Sequence, residues 1–447
     1  MATFPTAIES RAGKALAPEE IFEIQRIREV SLSRLLMLYI ATGLAFMLLP
    51  GTFLGVWNLI SISSRHAALS VSPAWIQAHG HAQIFGWIGS FILGIGFYSI
   101  PKLRRMEPFA LGICSTTWLL WTAGVTLRWL ANVYLWHWRL LLPVSAILEL
   151  LAFSFFFRAV AGHKPAGPKS GKTPFEPWIL VVIAGTMGFL GMLLANAGAA
   201  IYLALEGVSP AFPLEFDQRY LVLSAWGFMV PFVWGFSAKW LPVFLGLKPT
   251  RMRLLLATTA VNTAGVIAAL FGSVHLAVIL LLASAALSGF ALRLFEPTQQ
   301  PAKTKFVHPS YPAFIRFAYV WLVIAAVLGV WASLSGEPGI WGGSRHALTV
   351  GFIATMVFTI GQRVLPAFSG MRLLFSPKLM ALSLVLLTIG CTLRVSSEIL
   401  AYQGYSAAAW NWLPVSAFTE LSAVTVFALN MVCTFLRRPA NELVPSV

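Results

Sequence analysis

Charged residues and cysteines are both scarce in this chain. Lys, Arg, Asp and Glu make up 11% of the 447 residues, while hydrophobic residues make up 58%. Because soluble domains carry roughly 25% charged residues, this balance favours an integral membrane protein. The 3 cysteines form no CxxC or CxxCH motif, which argues against a disulfide framework and against covalently attached c-type haem. The polar first 34 residues predict that no cleavable signal peptide is present.

Acidic residues are half as frequent as basic ones, and the basic residues are unevenly placed. There are 16 Asp and Glu against 31 Lys and Arg, a net charge of +15. With a cytoplasmic N-terminus, 25 of the 31 basic residues fall in loops expected inside and 6 in loops expected outside. This is the positive-inside pattern of membrane proteins. It predicts a multi-pass protein of a bacterial-type inner membrane, with both termini cytoplasmic, the lipid bilayer around it and no nucleic-acid partner.

Long apolar runs cover most of the chain. Each is close to or above the ~20 residues that a helix needs to cross a bilayer. We therefore predict an all-α integral membrane fold with twelve transmembrane helices. The runs are 34–58, 80–101, 107–130, 138–160, 177–205, 218–241, 254–272, 275–296, 312–334, 345–366, 378–400 and 409–436.

One segment of these runs recurs with constant spacing. Its first copy extends from His81 to Pro101, and its last copy extends from His346 to Pro366, with every landmark displaced by 265. In the middle copy, displaced by 141 from the first, Val222 stands where the others have histidine. A helix that keeps histidine in two copies of three predicts a site built between those two copies.

The repeat extends beyond this helix. Thr-Leu-Arg128 recurs as Thr-Leu-Arg394, and the string from Leu142 that ends at Glu149 recurs as one that ends at Glu420. A repeat of this length decides the fold, so we expect three arcs of four helices around a pseudo-threefold axis. The predicted parts are a cytoplasmic amphipathic segment, 1–33, and a single membrane domain, 34–447, with repeats at about 34–161, 177–296 and 312–436.

Three of the 8 histidines open transmembrane helices at the end expected outside. Ionisable residues inside a membrane are costly and usually functional. His81 and His346 occupy equivalent repeat positions, so we expect them to approach one centre from opposite sides. Two imidazoles without a thiolate suit low-spin haem iron, whereas zinc requires three or four ligands. His79 points roughly 200° away from His81 on the same helix, and is assigned to a second centre or to a haem propionate. The alternative is a neutral imidazole that caps a helix start or bridges to a neighbouring helix. The other histidines, His66, His137, His163, His275 and His308, fall in loops, linkers or helix ends.

Arg128 and Arg394 are expected at the level of the histidines. Guanidinium groups pair bidentately with carboxylates, so both arginines are candidate partners of haem propionates, with snorkelling to lipid headgroups as the alternative. Glu149 and Glu420 lie about twelve residues into their helices, roughly 18 Å deep at 1.5 Å per residue. We therefore do not expect them to pair with the arginines, and a proton-relay role is an alternative for them.

At this point the chain resembles a known superfamily. Three four-helix arcs with histidines on helices 2 and 10 resemble the haem–copper oxidase subunit I fold. The segments around His79-Gly-His81 and Arg345-His346 are most similar to the NnrS family, haem-containing membrane proteins linked to nitric oxide metabolism. The resemblance implies a haem b with two histidine ligands, used for electron transfer or for a nitric oxide response. It also implies a cytochrome or other electron-transfer partner on the outer side.

The chain departs from catalytic oxidases at their second metal site. Helix 6 carries Val222 at the repeat's histidine position, helix 7 has no histidine, and Ser344 stands where the resemblance places the high-spin haem ligand. We therefore expect no dinuclear centre and no autonomous oxygen reductase. The alternatives left open are a catalytic oxidase or nitric oxide reductase subunit with an unusual metal site, copper included, and a solute transporter.

Overall fold

The computed structural model describes residues 18–104, 107–162 and 176–438, and these residues form long helices without a strand. Short loops connect neighbouring helices, as expected where consecutive membrane crossings alternate in direction. We number the helices α1 (18–65), α2 (Pro73–Arg104), α3 (Leu111–Val133), α4 (Trp138–Gly162), α5 (Trp178–Glu206), α6 (Leu214–Leu245), α7 (Met252–Leu270), α8 (Val274–Ala291), α9 (Tyr311–Ser335), α10 (Pro338–Phe368), α11 (Pro377–Tyr402) and α12 (Ala409–Leu436).

Within the described ranges, 11 helices are long and apolar enough to cross a membrane, against the twelve apolar spans predicted. The predicted span that is missing from these 11 is the run 107–130. This part of the chain forms α3, a helix of 23 residues. Its sequence includes three tryptophans, four threonines and Arg128, and these lower its mean hydropathy. Helix α3 packs against α4 along most of its length.

The N-terminal part of the chain runs directly into the membrane domain. Residues 18–33, expected to form part of a separate amphipathic segment, are the first turns of α1. Residues 1–17 and most of the first inter-repeat linker, with His163, lie outside the described residues. The repeat boundaries therefore stay predictions.

Helices α2, α6 and α10 each contain a π-helical segment, a wider turn that is often found at functional sites. In all three helices it begins directly after the residue at the repeat's histidine position, which is His81, Val222 and His346. Three helices therefore share one local backbone geometry at positions related by the repeat displacements. The segments are Ala82–Gly89, Leu223–Met229 and Ala347–Ala354.

Helix pairs at the two ends of the chain cross at the same point of the repeat. A methyl group at Gly124 of α3 would lie 2.7 Å from Cγ of Glu149 on α4. A methyl group at Gly390 of α11 would lie 2.6 Å from Cγ of Glu420 on α12. Only glycine admits a carboxyl side chain at so close a crossing. Arg128 and Arg394 follow these glycines by four residues on the same helices, so each glutamate lies in the neighbourhood of an arginine.

Candidate functional site: buried histidines and their carboxylates

The two histidines of α2 serve different neighbours, because residues two apart on a helix point in roughly opposite directions. Nε2 of His81 lies 2.7 Å from Oε1 of Glu149 on α4. The His81 ring also stacks on Phe85, with ring centroids 4.0 Å apart. His81 is 8% exposed and Glu149 0%. His81 is thus held inside its own four-helix repeat.

Glu149 connects this histidine to Arg128. Asn196 of α5 donates through Nδ2 to Oε2 of Glu149 at 3.1 Å, and its Oδ1 accepts from Nη1 of Arg128 at 3.3 Å. The guanidinium lies over the ring of Phe212, 4.5 Å from its centroid. Among the described residues, Nε of Arg128 is buried without a hydrogen-bonding partner.

Glu149 lies closer to Arg128 than the expected depth implied, although Asn196 stands between the two side chains. Helices α3 and α4 are antiparallel neighbours, so both depths count from the same end of the hairpin. Arg128 lies five residues before the end of α3 and Glu149 eleven residues after the start of α4, a difference of roughly 9 Å at 1.5 Å per residue. One asparagine and the length of the arginine side chain bridge it.

His79 faces α1 and the last repeat. Its Nδ1 lies 2.8 Å from the carbonyl oxygen of Gly51. A methyl group at Gly55 would lie 2.7 Å from Cε1 of the ring, so the imidazole rests directly on the α1 backbone. The ionisable side chains near enough to influence His79 electrostatically are His346 and Arg394. For His81 they are Glu149 and Arg128.

His346 has both a carbonyl and a carboxylate beside one ring nitrogen. Nδ1 lies 3.0 Å from the carbonyl oxygen of Gly342 and 3.2 Å from Oε2 of Glu398 on α11. Nη2 of Arg394 lies 3.4 Å from the same carboxylate oxygen. The sequence interpretation missed Glu398, although its spacing of four residues from Arg394 was a usable signal, because such pairs share a helix face.

These contacts bear on the expected pairing of His81 with His346, which stays a prediction. The structure turns His81 toward Glu149, and His79 is the α2 histidine on the side of His346. Equivalent repeat positions place His81 and His346 each nine residues into their helices. The neighbouring glutamate and glycines decide where each ring points. His79 and His346 each use Nδ1 for a protein contact, and within the described residues no hydrogen-bonding partner meets Nε2 of either ring.

Glu420 differs from its repeat counterpart Glu149. Its Oε1 is buried and, in the part of the chain that the structure describes, accepts no hydrogen bond. Arg394 and the ring of His346 lie near enough to influence it electrostatically. In the last repeat, Glu398 has thus taken the place beside the histidine that Glu149 holds in the first.

The middle repeat is apolar at the corresponding place. Val222 packs against Ala268, Ala269 and Ala277. Across residues 18–104, 107–162 and 176–438, no group of three or more His, Cys, Asp and Glu side chains is arranged to hold a metal ion. Of the remaining histidines described, His308 contacts Ser310, His66 stacks on Trp410, and His137 and His275 lie at helix starts on other surfaces.

Comparison with known proteins agrees with this architecture. A solved structure of a haem–copper terminal oxidase dimer, determined by cryo-electron microscopy, matches with a TM-score of 0.54 at 10% identity, covering 92% of this chain and 85% of that one. The fold is therefore that of haem–copper oxidase subunit I-like membrane proteins. The family model described as NnrS protein matches residues 35–439, so the chain belongs to the NnrS family. No curated protein matches the sequence.

Proposed function

We propose that this NnrS-family protein binds a low-spin haem b through His79 and His346. The proposal rests on which ring nitrogen of each histidine contacts the protein. Histidines that ligate metals donate their other ring N–H to a carbonyl or a carboxylate, and both rings do so through Nδ1. Nε2 of His81 instead contacts Glu149, which favours His79 over His81 as the partner of His346.

The buried arginines supply a second element of fit. Nη1 of Arg394 and Nε of Arg128 are buried and, among the described residues, without a hydrogen-bonding partner. Unpaired buried donors are costly, and haem propionates would satisfy them. Arg394 lies beside Glu398 and His346, so it is the stronger candidate of the two for this role.

A haem with two histidine ligands would carry one electron at a time. The residues of the protein would fix the imidazoles, neutralise the propionates and keep the site dry. We propose electron transfer or a nitric oxide response as the role, with a cytochrome or similar subunit delivering electrons from the outer side. This side follows from the positive-inside topology, in which His79 and His346 lie near the outer ends of their helices in a bacterial-type inner membrane.

Absorption spectra and metal analysis of the purified protein test this proposal. We expect a sharp reduced Soret band and α band with about one iron per chain. His79→Ala and His346→Ala should each abolish the low-spin spectrum. The matched control is His275→Ala, because His275 is exposed at the start of α8.

His81→Ala separates the two possible ligand pairs. The haem that binds should keep the low-spin spectrum, although haem content should fall because the contact of His81 with Glu149 is lost. If His81→Ala loses the spectrum while His79→Ala keeps it, the original pair of His81 and His346 is correct. If the wild-type protein holds no haem, the proposed function fails, and copper found by the same metal analysis would favour the alternative of an unusual metal site.

A further inference from the structure

The two proposed ligands differ in what lies behind them. Nδ1 of His79 faces only the carbonyl of Gly51, whereas Nδ1 of His346 has the carboxylate of Glu398 at 3.2 Å as well as the carbonyl of Gly342. Oε2 of Glu398 accepts no hydrogen bond from any described donor. This oxygen therefore lies beside Nδ1 of His346 without a fixed hydrogen-bonding partner of its own.

The contact between α10 and α11 is built to admit this carboxylate. A methyl group at Gly342 would lie 1.9 Å from Oε1 and 2.7 Å from Cδ of Glu398. Any residue other than glycine at position 342 would push the carboxylate away from the ring. Glu398 is 5% exposed and Arg394 6%, so the charge acts in a medium that screens it weakly.

Arg394 is one turn away on the same helix and holds the carboxylate in place, with Nη2 at 3.4 Å. Arg345, the neighbour of His346, also acts on Glu398 electrostatically. An ion pair within α11 would by itself explain why Glu398 is buried. It does not explain why Oε2 lies beside His346 or why α10 has glycine at the point of contact.

We propose that Glu398 is a positioning residue that sets the ring orientation of His346 and lowers the reduction potential of the haem. This inference rests on the proposed function. A carboxylate beside Nδ1–H raises the basicity of the ligating nitrogen. A more basic ligand and a nearby negative charge both favour the ferric over the ferrous state. Because no described carboxylate lies beside Nδ1 of His79, the two proposed ligands would differ in basicity.

Redox titration of the purified haem-loaded protein tests the proposal with two independent variants. Glu398→Gln removes the charge and keeps the shape, and Gly342→Ala keeps the charge and displaces the carboxylate. Both should retain the low-spin spectrum, shift the midpoint potential to more positive values and alter the ferric low-spin EPR signal. The matched control is Glu337→Gln at the start of α10, whose carboxylate contacts Gln403 on the protein surface.

The outcomes distinguish this inference from the proposed function. If the wild type binds haem but both variants titrate like Glu337→Gln, Glu398 acts only as the ion-pair partner of Arg394, and the inference is wrong. If Glu398→Gln does not fold, an unshifted potential in Gly342→Ala alone overturns it. A wild type without haem overturns the proposed function instead.

Discussion

At the scale of single residues, His81 and Glu149 form the most buried ionisable pair of the first repeat. The pair joins α2 to α4, and Asn196 extends it to α5 and Arg128. Such a network satisfies its members only when it is complete. Since His79 is two residues from His81, the same contact fixes the rotation of α2 and thereby directs His79 toward α1 and His346.

Glu149→Ala should consequently destabilise the protein and disturb the proposed haem site from a distance. Leaving buried polar groups without a hydrogen-bonding partner costs about 1–3 kcal/mol each, and here His81 and Asn196 lose their acceptor. We expect a lower midpoint of thermal unfolding in detergent and reduced haem content. Glu149→Gln should lose less stability, because the amide oxygen can still accept a hydrogen bond from His81 or Asn196. Equal stability of the alanine variant and the wild type would contradict this account of the network.

The sequence allowed the histidines and arginines of the site to be chosen, but not their partners. His79, His346 and Arg394 stood out because ionisable residues are rare in apolar helices. The glycines of α1 and Glu149 decide which histidine of α2 faces the last repeat. These residues lie far from both histidines in sequence. Glu398 was overlooked because it has no counterpart in the first repeat, where Asn132 stands 266 residues earlier.

At the scale of helices, the repeat is expressed in backbone geometry as well as in sequence. In the π segment of α2, the carbonyl oxygen of Phe85 accepts a hydrogen bond from Nε1 of Trp121 on α3 at 3.0 Å. In the middle repeat, the carbonyl of Trp226 accepts from Asn262 on α7 at 2.8 Å. The acceptor and the donor in the middle repeat each lie 141 residues after those in the first repeat. Two different donors thus stabilise the same wide turn, which the sequence pattern alone could not show.

The crossing of α5 and α6 depends on glycine at one of these turns. A methyl group at Gly188 would lie 2.0 Å from the carbonyl oxygen of Gly227. Gly188→Ala should force the helices apart, at a cost of about 1–3 kcal/mol or more, and lower the thermal unfolding midpoint. Gly191→Ala on the same helix is the control, since its nearest neighbour is a Leu223 methyl at 3.8 Å. The contact would be unimportant if the two variants were equally stable.

At the scale of the whole molecule, helix α3 decides the topology. Of the twelve helices in the described residues, it is the one that is not long and apolar enough to count as a membrane span. It also carries the buried Arg128. Its 23 residues extend over roughly 34 Å at 1.5 Å per residue, enough for a hydrocarbon core of about 30 Å. If α3 crosses, both termini lie on the same side. If it does not, every segment after it is inverted relative to the charge-based prediction.

We predict that α3 crosses the membrane and that the loop after it is outside. Single cysteines introduced into the full chain at Leu135, Val208 and Lys305 place one label in each of three loops, and all three positions are exposed. Leu135→Cys and Val208→Cys should react with a membrane-impermeant maleimide in intact cells, and Lys305→Cys only after permeabilisation. The native cysteines give the background, since Cys114 and Cys391 are buried and Cys433 partly so. The reverse pattern, with Lys305→Cys reactive in intact cells and Leu135→Cys protected, would mean that α3 stays on one side. The positive-inside assignment would then fail from α4 onward, because the basic loops that follow would lie outside.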